Sequence, residues 1–252
     1  MQMDLKENEI IDDLEINNLK IIQNKEWFKF GIDSVLLSDF AKSIRNNSTI
    51  LDIGSGTGII SILLSQKVSI DKIVGIEIQE EVADMAKRSI LMNNLEEKID
   101  IINDNINNIT NYFKENTFDA IVTNPPYQKN NTGLKSENEK HLISRHEIKC
   151  TLEDIIFKSY KVLKDKGEFY MVHRPERLAD IMYLMKQYKI EPKELRMVYS
   201  KYEEKPNLIL IKGVKNAKEF LQVHKPLIIY RENNIYTDEV LEIYGKKEKN
   251  KC

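Results

Sequence analysis

Two short stretches carry residue types able to do chemistry. The first, TNPPY (Thr123 to Tyr127), closes a greasy run, FDAIV. One proline suffices to end a strand, because it lacks the ladder N–H. Two in succession stiffen the backbone and hold Asn124 extended, so its side chain is presented in a fixed place. The second, LDIGSGTG (Leu51 to Gly58), ends another apolar run and opens a helical one. Gly54, Gly56 and Gly58 allow a tight turn with room for a ligand above it. The spacing is G-x-G-x-G rather than the dinucleotide G-x-G-x-x-G, and no lysine follows as in a phosphate loop. Asp52 stands inside the strand end, where an acid can hold the glycine loop or an ammonium group. Glu77 ends the next strand about 20 residues further on, where an acid binds both hydroxyls of a ribose. A nucleoside without phosphates fits this set, and S-adenosylmethionine is one.

The elements that must hold these residues alternate. TILDI (Thr49–Ile53), KIVGIEI (Lys72–Ile78), KIDIIN (Lys98–Asn103), FDAIVTN (Phe118–Asn124) and GEFYMVH (Gly167–His173) read as strands. Ile59, Ile60, Ile62, Leu63 and Leu64, the segment Glu80–Asn93, and LEDIIFKSYKVL (Leu152–Leu163) have helical composition or spacing. Pro175 sits where a first-turn proline would, ahead of RLADIMYLMKQY. LRMVYS (Leu195–Ser200) and NLILIKG (Asn207–Gly213) are joined closely enough for an antiparallel hairpin at one edge. Such alternation predicts an α/β fold, a mostly parallel sheet covered by helices. Two regions stand apart. Leu14 to Phe30 reads as a small hairpin of LKIIQ, NKE and WFKF, and Gln128 to Cys150 as a long polar loop of the functional or disordered kind.

Composition narrows the class. The chain has 252 residues, 41% hydrophobic and 31% charged, which suits one soluble domain. A formal net charge of −2 means that any contact with a polyanion must come from local patches. Cys150 and Cys252 have no ligand-spaced partners, so neither a metal site nor a disulfide framework is expected. Free cysteines, an acidic N-terminus without a signal-peptide core and no membrane-length apolar run point to the cytoplasm. A monomer is the expected state.

LDIGSGTG, Glu77 and NPPY together resemble the class I S-adenosylmethionine methyltransferases that modify planar amino groups. The resemblance implies a Rossmann-like sheet of seven strands, the last antiparallel, with helices on both faces. It also implies an adenine contact just after the third strand, where IINDNI offers Asp104 or Asn105. WFKFGIDSVLLSDFA (Trp27–Ala41) is similar to a segment of the tRNA1(Val) adenine-37 N6-methyltransferase family. There it forms a lid over the methionine end of the cofactor, with Gly31 at the turn and Asp33 opening the helix as its N-cap. SRHEI, VHRPERLADI, EPKELRMVYS and PLIIYRENNIYTDEVLEIYG extend the resemblance over nearly the whole chain. The implied organisation is a hairpin and lid helix over residues 1–45. A methyltransferase domain with a C-terminal extension follows over 46–252.

The chemistry gives TNPPY a purpose. An exocyclic amine is a poor nucleophile, because its lone pair is delocalised into the ring. Two rigid acceptors for its N–H groups favour a pyramidal nitrogen and aim the lone pair at the methyl group. The Asn124 amide oxygen and the Pro125 carbonyl can be those acceptors, Pro125 and Pro126 preorganise them, and Tyr127 offers a face for a splayed base. No strong general base is required. Glutamine amides of release factors are the alternative planar amine, but enzymes for them carry a sizeable helical domain ahead of the glycine loop. A non-catalytic cofactor- or RNA-binding module is the third possibility, which the intact NPPY counts against. For tRNA, the candidate contacts are Lys129 and Lys135, Arg145 and His146, Arg174 and Arg177, and the lysine-rich tail, with Arg174 and Arg177 ranked first for following a strand's carboxyl end. Trp27 and Phe28 are expected in core or lid packing.

Overall fold

The computed structural model of the chain describes residues 4–27, 31–127 and 150–246. It opens with a hairpin, β1 (Glu9–Asp13) and β2 (Lys20–Asn24), followed by helix α1 (Ile32–Phe40). Strand and helix then alternate: β3 (Thr49–Ile53), α2 (Ile59–Lys67), β4 (Lys72–Glu77), α3 (Glu80–Met92), β5 (Ile99–Asn103) and the one-turn α4 (Ile109–Tyr112). β6 (Phe118–Thr123), α5 (Leu152–Val162), β7 (Leu163–His173) and α6 (Leu178–Gln187) continue the pattern. β8 (Ile190–Tyr199) and β9 (Pro206–Lys215) form the late hairpin, and β10 (Gln222–Val223), β11 (Leu227–Ile228) and α7 (Asp238–Ile243) follow.

The main sheet runs β10-β8-β9-β7-β6-β3-β4-β5, with β11 also on β8. Its neighbours are parallel except β9, which runs antiparallel between β7 and β8. This is the expected seven-stranded sheet, with two-residue pieces, β10 and β11, added along the outer edge of β8. Strand alternation sends Ile50, Ala120, Val122, Tyr170 and Val172 to a face covered by α1, α2, α3 and α7. Leu51, Ile53, Ile121, Phe169 and Met171 face α4, α5 and α6. Burial on both faces is why these parallel strands read as continuous apolar runs. The carboxyl ends of β3, β4, β5 and β6 line up at one edge, and the site forms there. A Thr151–Asp154 capping box starts α5. Pro175 begins a short 3-10 turn that runs into α6, as its position predicted. Among the described residues, no helix is long and apolar enough to cross a membrane.

The N-terminal hairpin brings in a strand that the sequence reading left out. LKIIQ supplies a strand paired with EIIDD before it, whereas Phe28 to Phe30 of the expected partner WFKF lie outside the described residues. Glu15, Asn17 and Asn18 take positive φ between the strands, and Leu14 N–H meets the Leu19 carbonyl. Asparagine tolerates that backbone region better than most residues, so INN makes the turn. The hairpin packs on α3 through Ile22, Val82 and Met85, with Trp27 and Met92 against them. Trp27 is therefore a packing residue, as expected, whereas Phe28 lies outside the described residues. Arg88 of α3 grips Glu9 through two bonds of 2.5 and 2.7 Å. This fork holds the Glu9 carboxyl below its usual range and raises Arg88.

Candidate active site

The glycine loop leaves β3 and returns through three left-handed residues, Gly54, Gly56 and Gly58, with φ of 68°, 55° and 88°. A Cβ on Gly54 or Gly56 would meet no atom within 4 Å, so backbone conformation, not crowding, calls for glycine there. The loop is tied to the next strand. Gly54 and Ser55 N–H groups donate to the Ile76 carbonyl, at 2.9 and 3.2 Å. Gly56 N–H donates to Glu77 Oε2 at 3.0 Å, and Gln79 N–H to Glu77 Oε1 at 2.9 Å. Close approach is possible because β4 carries Gly75, where a Cβ would lie 2.9 Å from the Ser55 side chain and 2.5 Å from Ile101.

Asp52 is not where the sequence reading put it. The pleat turns it toward α2, so it is fully buried and reaches neither the loop nor open solvent. Ser61 on α2 donates to its Oδ2 at 2.7 Å, while Oδ1 has no hydrogen-bond partner. Burial pushes its carboxyl up to about 7 against the Ser61 hydrogen bonds, and the Glu77 charge adds to the rise. A raised carboxyl favours the folded protein below the unfolded pKa, and that contribution is lost as pH rises from about 4 to about 7. The Tm advantage of Asp52→Asn over wild type should therefore widen between pH 5 and pH 8, by at most about 3 kcal/mol in stability. A gap in melting curves that stays constant across that range would show that Asp52 does not change its protonation there.

The NPPY turn leaves β6 into the same edge. A cleft of about 460 Å³, part of it open solvent, is lined by Gly54, Glu77, Asp104 and Asn105 together with Thr123, Pro125 and Pro126. Asn124 is half-buried and gripped at both ends: Nδ2 donates to Ser34 Oγ at 3.1 Å, and Oδ1 lies 2.6 Å from the Tyr127 hydroxyl. The same hydroxyl lies 2.7 Å from Asp33 Oδ2. Burial and the Asp33 carboxylate raise Tyr127 well above an ordinary phenol, so it keeps its proton. The Tyr127 ring meets His173 edge-on at 5.3 Å and lies under the Arg174 guanidinium at 5.2 Å. The Tyr127 hydroxyl is thereby anchored between Asp33 and Asn124, a hold the sequence did not signal. Asp33 is also relocated. Gly31 is the N-cap of α1, extended at φ −102°, and Asp33 lies within the first turn. A Cβ on Gly31 would sit 2.8 Å from the Asp33 carboxylate, so a glycine leaves Asp33 its room.

A family profile described as the methyltransferase small domain matches residues 31–189, more than half of the chain. The chain belongs to that family. The methyltransferase is 24% identical to a Flavobacterium johnsoniae protein named tRNA1(Val) (adenine(37)-N6)-methyltransferase, covering 91% of this chain and 96% of that one. It is 30% identical to a Bacteroides thetaiotaomicron protein of the same name, covering 66% and 68%. Among solved structures, a predicted O-methyltransferase from Agrobacterium tumefaciens superposes with a TM-score of 0.68 at 18% identity, over 85% of this chain and 96% of that one. At that identity the likeness shows the fold alone.

In the methyltransferase's cleft, Asp104 and Asn105 both follow β5. Tyr112, Asn108 and the Asn105 N–H hold the Asp104 carboxyl below its usual range. Asn105 Oδ1 caps the next turn through Asn107 N–H at 2.9 Å. Of the basic candidates, Arg174 lies over the Tyr127 ring, while the Arg177 guanidinium is paired with Asp180 at 2.8 Å. Lys129, Lys135, Arg145, His146 and residues 247–252 of the tail lie outside the described residues. The structure adds two residues that the sequence did not signal. Ser34 is an unremarked serine inside an apolar helix. His173 ends β7 and is almost fully buried, with Nδ1 accepting the Arg174 N–H at 2.8 Å. Burial, with the Arg177 and Arg174 charges, pushes His173 down to about 4, so it is neutral at working pH.

Proposed function

We propose that this methyltransferase uses S-adenosylmethionine to methylate the N6 amine of an adenine in tRNA, at the adenine 37 for which its relatives are named. The observation that carries this is the shared cleft: the NPPY prolines line it together with Glu77 and Gly54 of the glycine loop. The residues present suit the cofactor. Glu77, a carboxylate with four acceptor positions at the cleft wall, can hold the glycine loop and two vicinal ribose hydroxyls together. Asp104 or Asn105 serves the adenine end, and the open space above Gly54 and Gly56 admits a ligand. When bound, S-adenosylmethionine supplies a methyl group on a sulfonium, open to in-line displacement.

Asn124 Oδ1 and the Pro125 carbonyl accept the two amine N–H groups and direct the nitrogen lone pair. The amine becomes acidic as it is methylated, so solvent can take the proton, and neutral His173 and protonated Tyr127 need not act as bases. Residues 1–45 act as a lid over the methionine end, because the first turn of α1 already touches the NPPY turn. A tRNA substrate places the enzyme in the cytoplasm.

The test is transfer of labelled methyl from S-adenosylmethionine into total RNA from a strain lacking the gene, followed by nucleoside analysis. Label in N6-methyladenosine of one tRNA supports the assignment. Label in protein would keep the amine chemistry and move the substrate to a glutamine amide. RNA binding without transfer would point to a non-catalytic module. Arg174→Ala should weaken RNA binding and lower the salt slope by about one phosphate contact. Arg177→Ala should do less, its charge being already paired with Asp180. Equal slopes in filter-binding titrations of all three proteins would place the RNA path elsewhere.

A further inference from the structure

We propose that the first turn of α1 positions the amine clamp, with Ser34 as the residue that holds the Asn124 side chain directly. This rests on the reading of Asn124 as an amine acceptor. Pro125 and Pro126 stiffen the backbone of the turn, but they do nothing to the last torsion of Asn124. That torsion is broad in asparagine, with two roughly equivalent wells. An amide swung out of place, or turned to present its NH2 group, would set donors against the donors of the incoming amine. Something other than the prolines must hold it.

The structure supplies that hold from an element 90 residues away in sequence. Ser34 is nearly fully buried at 4% exposure, and its Oγ accepts from Asn124 Nδ2 at 3.1 Å. With the nitrogen end held, the oxygen end lies toward Tyr127. Asp33, also buried, reaches the same amide indirectly through the Tyr127 hydroxyl. The Tyr127 hydroxyl has one proton to give to Asp33 or to Asn124 Oδ1, so Ser34 is the residue of α1 that holds the amide itself. Gly31 ahead of both residues leaves space for the Asp33 carboxylate. Packing supports the helix from behind: Val35, Leu36 and Leu37 are buried in the core that α1 shares with α2. The grip is therefore anchored to the body of the protein.

Ser34 does not touch the reacting atoms, so its loss should appear in kcat rather than in binding. Ser34→Ala removes one small hydroxyl and should lower kcat about ten- to a hundredfold, the scale of a modest misplacement at a reacting centre. KM for S-adenosylmethionine should stay within about twofold, since the ribose and loop contacts are untouched. Ser34→Thr, which keeps a hydroxyl, should recover most of the rate. The Ser34→Ala/Asn124→Ala double variant should be no slower than Asn124→Ala, because the two act on one group. Rates are read with labelled S-adenosylmethionine on whichever acceptor, RNA or protein, the wild-type enzyme labels.

Wild-type kcat in Ser34→Ala would overturn the positioning role and leave the amine-clamp reading standing. An equal loss in Ser34→Thr and Ser34→Ala would also overturn it, by showing that the space and not the hydroxyl matters. A wild-type enzyme that labels protein would fail the tRNA assignment, while the Ser34 comparison still decides on that acceptor. No transfer to either acceptor would overturn the clamp reading and the Ser34 role with it.

Discussion

Asn124→Ala lowers kcat for methyl transfer by about two to three orders of magnitude, the scale seen when one preorganised hydrogen-bond partner is removed from a reacting centre. Its amide oxygen is one of two acceptors that shape the amine, and the Pro125 carbonyl alone cannot fix the nitrogen's geometry. Affinity for S-adenosylmethionine stays close to wild type if, as proposed, Gly54, Glu77 and the residues after β5 hold the cofactor. The fold should tolerate the change, since Asn124 is only half-buried and its partners Ser34 and Tyr127 remain anchored on α1 and against His173. Single-turnover rates beside equilibrium cofactor binding check both halves. A variant as fast as wild type would mean that NPPY is only a rigid end to β6.

Glu77→Ala acts on cofactor binding. It removes a carboxylate that holds Gly56 N–H at 3.0 Å and that stands where a ribose would lie. Hydrogen bonds to a charged group contribute about 1.5–3 kcal/mol each. Losing two weakens cofactor binding by on the order of a hundred- to ten-thousandfold. Glu77→Gln keeps the shape and one acceptor oxygen, so its loss is smaller. Calorimetric titration with S-adenosylhomocysteine separates these outcomes without relying on activity. Affinity unchanged in both variants would reduce Glu77 to a tie for the glycine loop.

Local patterns were legible wherever one short stretch carried the whole constraint. The three glycines need left-handed backbone, and each takes it. The strands through LDI, IEI and IVTN end at the edge where the cleft forms, and NPPY leaves that edge as two prolines after a strand must. Strand pairing was less legible. LKIIQ was read only with the residues after it, yet it pairs with EIIDD before it, the chain reversing through Glu15, Asn17 and Asn18. Side-chain destinations were least legible. Asp33 resembles an N-cap in sequence, yet its carboxylate is drawn to a tyrosine 94 residues away. Asp52 resembles a loop-holding acid, yet the pleat points it into α2.

By itself, the sequence determined that this is an α/β chain with a three-glycine loop after one strand, an acid ending the next and a stiffened asparagine ending another. Each of these depends on a backbone preference or a period of two or 3.6 residues, which neighbours in the chain decide. Only the tertiary structure decided that Pro125 and Pro126 line one cleft with Glu77, that Arg174 lies over Tyr127 while Arg177 pairs with Asp180, and that Ser34 bonds Asn124 and Asp33 bonds Tyr127. Those meetings join elements far apart in sequence. They depend on the order of strands in the sheet and on which face each helix covers, and no local preference encodes either.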